Sequence, residues 1–348
     1  MPSSLREIAD RAGLSSATIS RILNDRGAEA RISIETQERV RRIAREVGYR
    51  PNRMAQGLSK GRSNIIGLMI PSLHNPFYLN LLETAEEQAF QAGYDVLPDT
   101  AFQLRQTYGV RGKLSGWPVD GVLIWMTPDR SVSDYLGASA EDLPTVYLGY
   151  ERTDGREYVG MDRAQGVRSL LQYLLNKGYR RIAYVYPSQS LQPVDTRFTT
   201  YESLCAEMRV PPQRIFLENF SNQDPARQVM QAGLREAALL TGLRLAGLPA
   251  GERPDALVCH NDLVAVGTYH GLRRSGLRVP EDIAVAGFDG IDEGRYLDKP
   301  LTTVVTPVAE LVAAALDALT QRLRSPEPSV LKPRQVTLPS VLRVGGTA

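Results

Sequence analysis

Apolar residues recur at helical spacing in three short segments at the start of the chain. Each segment places them at intervals of three and four, which is one face of an amphipathic helix. These positions are Leu5, Ile8, Ala9 and Ala12, then Ile19, Ile22 and Leu23, then Val40, Ile43, Ala44 and Val47. Gly13 predicts a turn after the first helix, with Ser15 as the cap of the second. The third helix is expected to begin near Ser33 and to end at Gly48.

Beyond residue 62, short apolar runs alternate with helical patterns. The runs are IIGLMI, YDVL, GVLIW, TVYL, IAYVY, DALVC and IAVAGF, and helical patterns cover residues 76–91, 165–176 and 262–274. The runs are typical of buried parallel strands. The alternation predicts an α/β fold with doubly wound parallel sheets, and the length favours two such subdomains.

Charge separates the beginning of the chain from the rest. Residues 1–62 hold 13 Lys/Arg against 7 Asp/Glu, whereas the remainder holds 28 against 32. A basic head indicates a polyanion partner, although a solvated surface would give the same balance. The apolar runs are far shorter than the roughly 18 residues of a membrane span. With no secretory signal and only two cysteines, Cys205 and Cys259, which are expected to be reduced and buried, the sequence predicts a cytoplasmic protein with no membrane partner.

Two short helices joined by a tight glycine turn, with a third packed behind them, predict a helix-turn-helix. The second helix would expose Ser16, Ala17, Ser20 and Arg21. Small residues let such a helix approach a DNA groove, Arg21 can bind guanine with two hydrogen bonds, and Ala17 can contact a thymine methyl group. The alternative is a structural three-helix module with a solvated arginine face.

Two stretches, LREIADRAGLSSATISRILN and ISIETQERVRRIAREVGYRPNRMAQGLSKGRSNIIGLMIP, resemble the head and hinge of lactose-repressor-type (LacI/GalR) transcription regulators. The resemblance is continuous over these residues and looser over the whole chain. It implies that Ser16, Ala17 and Arg21 contact bases in the major groove. It also implies a hinge helix over about residues 52–59, in which Leu58 is wedged between central base pairs. Further hinge contacts to DNA are expected from Asn52, Arg53 and Ala55.

The hinge segment is expected to be a weak helix by itself. A helix of about eight residues is marginal in water, and Gly57 costs roughly 1 kcal/mol more. We therefore expect it to form when two chains meet on DNA, where a Leu58 wedge would kink the duplex. Residues 57–61 also fit G-x-S-x-G, but the strand follows the serine instead of preceding it, so a hydrolase site is rejected.

The body resembles the periplasmic-binding-protein-like core of the same family, in which the chain crosses three times between two subdomains. We expect crossings near Met161, Ile291 and Leu323. The predicted domains are a helix-turn-helix head (1–50), a hinge and linker (51–62), and an effector-binding and dimerisation core (63–348). Within the core, the N-subdomain would hold residues 63–161 and 292–322, and the C-subdomain residues 162–291 and 323–348.

Candidate effector contacts follow the strands, because ligands of open α/β sheets bind at the carboxyl ends of strands. Asp289 can accept hydrogen bonds from two hydroxyls, Arg197 offers a fork of donors, and Phe220 can stack on a ring. Further candidates are Asn75, Phe77, Asn261 and Asp262. Simpler alternatives are that Asp289 caps a helix, that Phe220 belongs to the core, and that Asn75 is a turn residue.

The sequence departs from the family pattern at MDRAQG, where Arg163 replaces a typical asparagine, and in the loop VYPSQSLQPVDTR. Both departures leave the effector's identity open. No nucleotide-binding, metal-binding or catalytic motif occurs, so we expect no cofactor, metal ligand or catalytic residue.

These patterns together predict a homodimeric transcription regulator that binds an inverted-repeat operator in double-stranded DNA. A small molecule in the cleft, by resemblance a carbohydrate, would control operator affinity. Repression relieved by a sugar is the expected logic, with corepression and activation left open. One alternative is a solute-binding protein, which would share the body but not the head. The other is a sugar enzyme with a DNA-binding head, which would need the missing catalytic motifs.

Overall fold

The computed structural model describes residues 5–23, 31–49, 62–100, 113–125, 133–137, 142–150, 154–187, 195–217, 233–325 and 331–348. The chain divides into two compact units, Met1–Ser63 and Asn64–Ala348. Among the helices in these ranges, none combines the length and the apolar character needed to cross a membrane.

The described residues of the first unit form three helices, α1 (Leu5–Ala12), α2 (Ser16–Leu23) and α3 (Ile34–Glu46). Gly13 turns the chain between α1 and α2 with a φ of +65°. The Ser15 hydroxyl accepts a hydrogen bond from the backbone N–H of Thr18 (3.1 Å), which is the predicted cap of α2. The three helices bury a common core of Ile8, Ala9, Ala12, Ile19, Ile22, Val40 and Ala44. The predicted helix-turn-helix is confirmed.

The described strands of the second unit form two six-stranded sheets. The first sheet contains β1 (Ile65–Met69), β2 (Asp95–Asp99), β3 (Gly121–Trp125), β4 (Thr145–Gly149), β5 (Tyr158–Met161) and β11 (Gln335–Leu338). Their order is β11-β5-β4-β3-β1-β2, and all neighbouring strands are parallel. Helices α4 (Pro76–Gln91) and α10 (Val308–Arg324) pack together, and α10 also covers β3, β4 and β5. A short helix α5 (Ser133–Leu136) and a 3-10 turn (Lys113–Gly116) complete the described part of this half.

The second sheet contains β6 (Ile182–Tyr186), β7 (Gln213–Phe216), β8 (Ala256–Cys259), β9 (Ala284–Asp289), β10 (Thr302–Val305) and β12 (Val341–Arg343). Their order is β12-β10-β9-β8-β6-β7, and only the edge strand β12 is antiparallel to its neighbour. Its helices are α6 (Arg163–Asn176), α7 (Thr196–Glu207), α8 (Leu234–Ala246) and α9 (Asp262–Arg274), with a 3-10 helix at Asp292–Tyr296. The predicted α/β class with two largely parallel sheets is confirmed, and both cysteines are buried free thiols.

Two of the three expected crossings between the halves lie elsewhere. The first follows Met161, where β5 ends. The second is not near Ile291, because β10 returns beside β9 in the second sheet and the chain leaves only after Val305. The third is not near Leu323, because α10 covers the first sheet and β11 joins its edge, so the crossing falls between Leu338 and Val341. The first half therefore comprises about residues 64–161 and 307–338.

The three crossing segments lie side by side and are joined by hydrogen bonds. The Asp162 N–H donates to the Leu338 carbonyl (2.8 Å), and the Ser340 hydroxyl donates to the Asp162 carbonyl (2.9 Å). The Thr306 hydroxyl approaches the sulfur of Met161 (2.9 Å). A rotation of one half against the other must therefore pass through this small group of residues.

Candidate functional site

Helix α2 of the first unit presents a polar face away from its core. Ile19 and Ile22 are fully buried, so the opposite side of the helix is turned outward. Ser16, Ala17 and Arg21 are exposed there, and Ser20 is half-buried. The arrangement matches the face predicted to contact DNA bases. Asn52, Arg53, Ala55 and Leu58, which were assigned to the hinge contacts, lie outside the described residues.

In the second unit, charged side chains converge at the carboxyl ends of β8 and β9. Asp195 caps α7 by accepting the N–H of Arg197 (3.0 Å), and its two oxygens bind Nε and Nη2 of Arg197 at 3.1 Å each. The Arg197 Nη1 donates to the His260 carbonyl (2.8 Å) and lies 3.9 Å from Asp289 Oδ1. The structure thus brings the predicted Arg197 and Asp289 together.

His260 completes this group as a neutral ring. Its Nδ1 lies 3.1 Å from an oxygen of Asp195, and its Nε2 lies 2.9 Å from Nη2 of Arg197. Burial, together with the charge of Arg197, lowers the pKa of His260 to about 4. Burial also opposes ionisation of Asp195, but Arg197 and His260 outweigh it and hold the pKa of Asp195 well below its ordinary value. Arg197 and Asp195 therefore form a fixed ion pair.

The neighbours of Arg197 limit what it can offer a ligand. A guanidinium has five N–H groups. Four of them point to Asp195, to the Nε2 of His260 and to the His260 carbonyl. One N–H of Nη1, on the side of Asp289, remains. The expected fork of donors is therefore a single donor beside a carboxylate.

Asp289 ends β9 with an unusual backbone. Its φ is +111°, a region that residues with a side chain rarely adopt. Burial raises the pKa of Asp289 to about 7, and the charges of Arg197 and Arg163 only partly oppose this shift. The carboxylate is thus held beside a cation, in a strained turn, with a pKa close to neutrality.

Asp262 supports the turn that carries Asp289. One of its oxygens accepts the N–H groups of Gly290 (2.7 Å) and Ile291 (2.8 Å), and the other accepts the hydroxyl of Thr303 (2.5 Å). Asp262 is completely buried, and burial raises its pKa to about 8. Its carboxylate is occupied by the protein itself, so the structure gives it a supporting position.

Asn75 and Asn261, two of the further candidates, cap helices. The Asn75 side chain accepts the N–H of Phe77 (3.1 Å) at the start of α4. That of Asn261 accepts the N–H of Val264 (3.0 Å) at the start of α9. Both lie after the carboxyl ends of strands, so the structure gives each of them a capping role at this edge of its sheet. Phe220 lies outside the described residues.

An aromatic group from the first half faces the polar group. Trp125 ends β3 and makes edge contacts with Phe77 (5.0 Å), Tyr78 (5.7 Å) and Tyr150 (6.4 Å between ring centroids). Burial raises the pKa of Tyr78, and the charges of Tyr150 and Asp289 add to this shift. Asp289 therefore acts electrostatically on Tyr78, and the region between the aromatic group and the polar group is termed the cleft. Trp125, Tyr150, Asp195 and His260 were not predicted, although each lies at or just after a strand or at a helix start.

Comparison with known proteins identifies the chain. A model of the periplasmic binding protein-like domain matches residues 171–347, half of the chain, and a model of bacterial regulatory proteins of the lacI family matches residues 4–52. The chain belongs to the lacI family. Its helix-turn-helix head and its two-sheet body are the DNA-binding and effector-binding parts of a transcription regulator of that family.

Curated relatives of this lacI-family chain extend over nearly its whole length. The ribose operon repressor of Escherichia coli K12 is 28% identical over 352 residues, covering 99% of both proteins. The transcriptional repressor CytR of the same organism is 28% identical over 326 residues, covering 92% of this chain and 89% of CytR. These relatives are named as repressors and not as enzymes.

Solved structures confirm the fold. The lac repressor dimer bound to operator and the anti-inducer ONPF superposes with a TM-score of 0.78 at 23% identity, covering 100% of this chain and 99% of that one. A lacI-family regulator from Lactobacillus casei with bound sucrose gives 0.65 at 26% identity, covering 82% of this chain and 99% of that one.

Proposed function

We propose that this lacI-family regulator is a homodimeric repressor whose affinity for an inverted-repeat operator is set by a polyhydroxylated effector bound in the cleft of the body. The observation that carries the proposal is that one chain contains both an exposed polar face on α2 and a cleft in which Asp289 and Arg197 lie 3.9 Å apart. A protein that acts on chromosomal DNA would work in the cytoplasm.

The head would provide sequence specificity. Arg21 is long enough to bind a guanine edge, and Ala17 is small enough to allow a thymine methyl to approach. Ser16 and Ser20 would add hydroxyl contacts to bases or phosphates. In the hinge, Asn52 and Arg53 would contact phosphates or groove edges, Ala55 would also contact DNA, and by family resemblance Leu58 would be the minor-groove wedge.

The cleft would bind a carbohydrate through a small set of directed hydrogen bonds. Asp289 would accept hydrogen bonds from ring hydroxyls, while the remaining N–H of Arg197 and the amide N–H groups of Asn261 would donate hydrogen bonds. Asn75 would contribute its amide from the opposite side, and Phe220 a ring face. The aromatic group around Trp125 and Phe77 supplies the apolar surface against which a sugar ring packs.

Effector binding would change operator affinity by favouring one arrangement of the two halves. A ligand that contacts both sides of a cleft has different affinities for its open and closed forms, and this difference is the available coupling free energy. The motion would pass through the three crossing segments at Met161, Thr306 and Ser340. The structures of a related lacI-family regulator with bound sucrose and with bound glucose support a sugar as the effector class.

The experiment has two parts. Selection from a randomised inverted-repeat library should recover one preferred operator, and a panel of sugars and nucleosides should then contain a compound that changes operator affinity in a mobility-shift assay. Recovery of no preferred sequence would contradict the assignment to the head. Detection of a preferred operator that no compound of the panel affects would contradict control by a polyhydroxylated effector.

A further inference from the structure

Arg163 is a buried cation in the cleft. It is the first residue of α6, whose cap is Asp162, and only 6% of its surface is exposed. Its Cζ lies 4.0 Å from the ring centroid of Tyr150 and 5.6 Å from that of Trp125, so it packs against the aromatic group. Arg163 also acts electrostatically on Asp289 and on His260, which lie in the polar group of the second half. It therefore lies between the two sides of the cleft.

The guanidinium of Arg163 lacks the partners that a buried cation normally has. Its Nε and Nη1 are buried and make no hydrogen bond within the part of the chain that the structure describes. No carboxylate oxygen of those residues lies within ion-pair distance of it. The nearby carboxylates are engaged elsewhere, because Asp195 is held by Arg197 and Asp262 by the turn after Asp289.

Contact with aromatic rings does not replace those partners. A cation–π contact uses the flat face of a guanidinium and leaves its N–H groups, which lie in the plane, without acceptors. An unpaired buried charge is costly, so it is retained where a ligand completes it. The neighbouring Asp289 balances the charge incompletely, because its pKa of about 7 leaves it partly protonated at neutral pH.

We propose that the effector is an acidic sugar, and that the in-plane N–H groups of Arg163 bind its carboxylate or phosphate while its ring hydroxyls contact Asp289 and Arg197. This deepens, and rests on, the proposed control by a polyhydroxylated effector. Arg163 stands where the resemblance expects an uncharged asparagine, so the inference concerns a property of this chain. A planar guanidinium suits either anion, since both accept two parallel hydrogen bonds.

The test compares each neutral sugar with acidic forms of the same ring. The probes are glucose with glucuronate and glucose 6-phosphate, galactose with galacturonate and galactose 6-phosphate, and ribose with ribose 5-phosphate, all at constant ionic strength. Affinities are measured by calorimetry on the full chain for wild type, Arg163→Asn, Arg163→Lys and Arg168→Asn. Arg168→Asn is the matched control, because this substitution removes the same charge from α6 at an exposed site beside Glu207.

We expect an acidic sugar to bind wild type more tightly than its neutral counterpart. Arg163→Asn should weaken the binding of that acidic sugar by about 100-fold and the binding of the neutral sugar far less, because only the acidic sugar loses a charge-assisted hydrogen-bonded pair. Arg163→Lys should give an intermediate loss, since it keeps the charge without the planar fork, and Arg168→Asn should match wild type. Whether the uronate or the phosphate shows the effect distinguishes the two anions.

The inference is wrong if no acidic probe binds wild type more tightly than its neutral counterpart, or if Arg163→Asn weakens both equally. Operator release separates this failure from failure of the proposed function. A neutral sugar that releases operator from both wild type and Arg163→Asn would leave the proposed function standing and overturn the acidic effector. An acidic sugar that binds through Arg163 without changing operator affinity would confirm the anion contact of Arg163 and overturn the proposed control of operator binding.

Discussion

At the scale of single residues, Asp289 has both an unusual backbone conformation and a raised side-chain pKa. A non-glycine residue with a φ of +111° costs on the order of 1–3 kcal/mol. The strain persists because the adjoining backbone is fixed, with Asp262 accepting the N–H groups of Gly290 and Ile291 and the Asp289 carbonyl accepting that of Thr306 (3.1 Å). Such strain is commonly found where a side chain must be presented to a ligand.

The pKa of Asp289 predicts that effector affinity depends on pH. A carboxylate accepts hydroxyl hydrogen bonds better than a neutral acid, and burial raises this pKa to about 7. The ionised fraction of such a group rises about tenfold between pH 6 and pH 8, so affinity should rise by up to about that factor. Calorimetry with a neutral sugar, which does not titrate in this range and brings no charge beside Asp289, measures this pH dependence. Asp289→Asn should bind weakly and show no such rise, and a rise that persists in this variant would assign the titration to another group.

The contacts of Asp262 predict a stability effect of a single hydroxyl. Thr303→Val keeps the volume of the side chain but removes the hydroxyl that lies 2.5 Å from the buried carboxyl group of Asp262. The free energy of unfolding should fall by about 1–3 kcal/mol, because this buried carboxyl group loses a hydrogen-bond partner. Denaturant unfolding measures the loss. Thr306→Val is the control, since its hydroxyl contacts only the weakly accepting sulfur of Met161, and an equal loss there would contradict the explanation.

At the scale of elements, the apolar character of a run decides what the sequence predicts. The seven apolar runs all coincide with strands, because most of them are buried parallel strands, which are apolar along their whole length. The edge strands β7 and β11 were missed, since QRIF begins with two exposed polar residues and QVTL alternates exposed polar with half-buried apolar residues. The short strands β5, β10 and β12 were also missed. The misplaced crossings follow from this, because β10 is largely buried but offers no local sign of which sheet it joins.

The residues that meet in the candidate site were predictable only where residue type and strand position agreed. Arg197 and Asp289 are charged residues at element ends, so chemistry and position both marked them. Trp125 and Tyr150 look like core residues in the sequence, and they were recognised only when the packing placed them in the cleft. His260 stands among polar neighbours, and its ion-pair partner Asp195 is distant along the chain.

The exposed face of α2 predicts a specific role for Arg21. Its replacement by alanine should weaken operator binding by about 1–3 kcal/mol and relax the preference at one symmetric base pair, because a bidentate contact to guanine is lost. Selection from a randomised library, followed by binding titrations, measures both effects. Arg45→Ala is the control, since it removes the same charge from an exposed position of α3. An unchanged selected sequence for Arg21→Ala would exclude base recognition by this side chain.

At the scale of the whole molecule, the body consists of two halves that three neighbouring chain segments connect. Each half has its own sheet and core, and three chain segments connect them. Because the segments are adjacent and hydrogen-bonded to one another, a rotation there requires few changes in packing. A ligand bound between the aromatic and polar groups would oppose or favour that rotation directly.

Linkage measures the coupling free energy between effector and operator in two independent ways. If the effector changes operator affinity by some factor, the operator must change effector affinity by the same factor, because both describe one coupling free energy. For coupling of about 1–3 kcal/mol the factor is roughly 5–150. Operator titrations with and without saturating effector give one value, and effector titrations with and without operator give the other. We expect the two values to agree in wild type, and Thr303→Val to lower both together if the turn carrying Asp289 transmits the coupling. If Thr303→Val left the factor unchanged, the turn that carries Asp289 would not transmit the coupling. Unequal values in wild type would instead show that a further equilibrium, such as a change in the assembly of the protein, contributes to one of the two titrations.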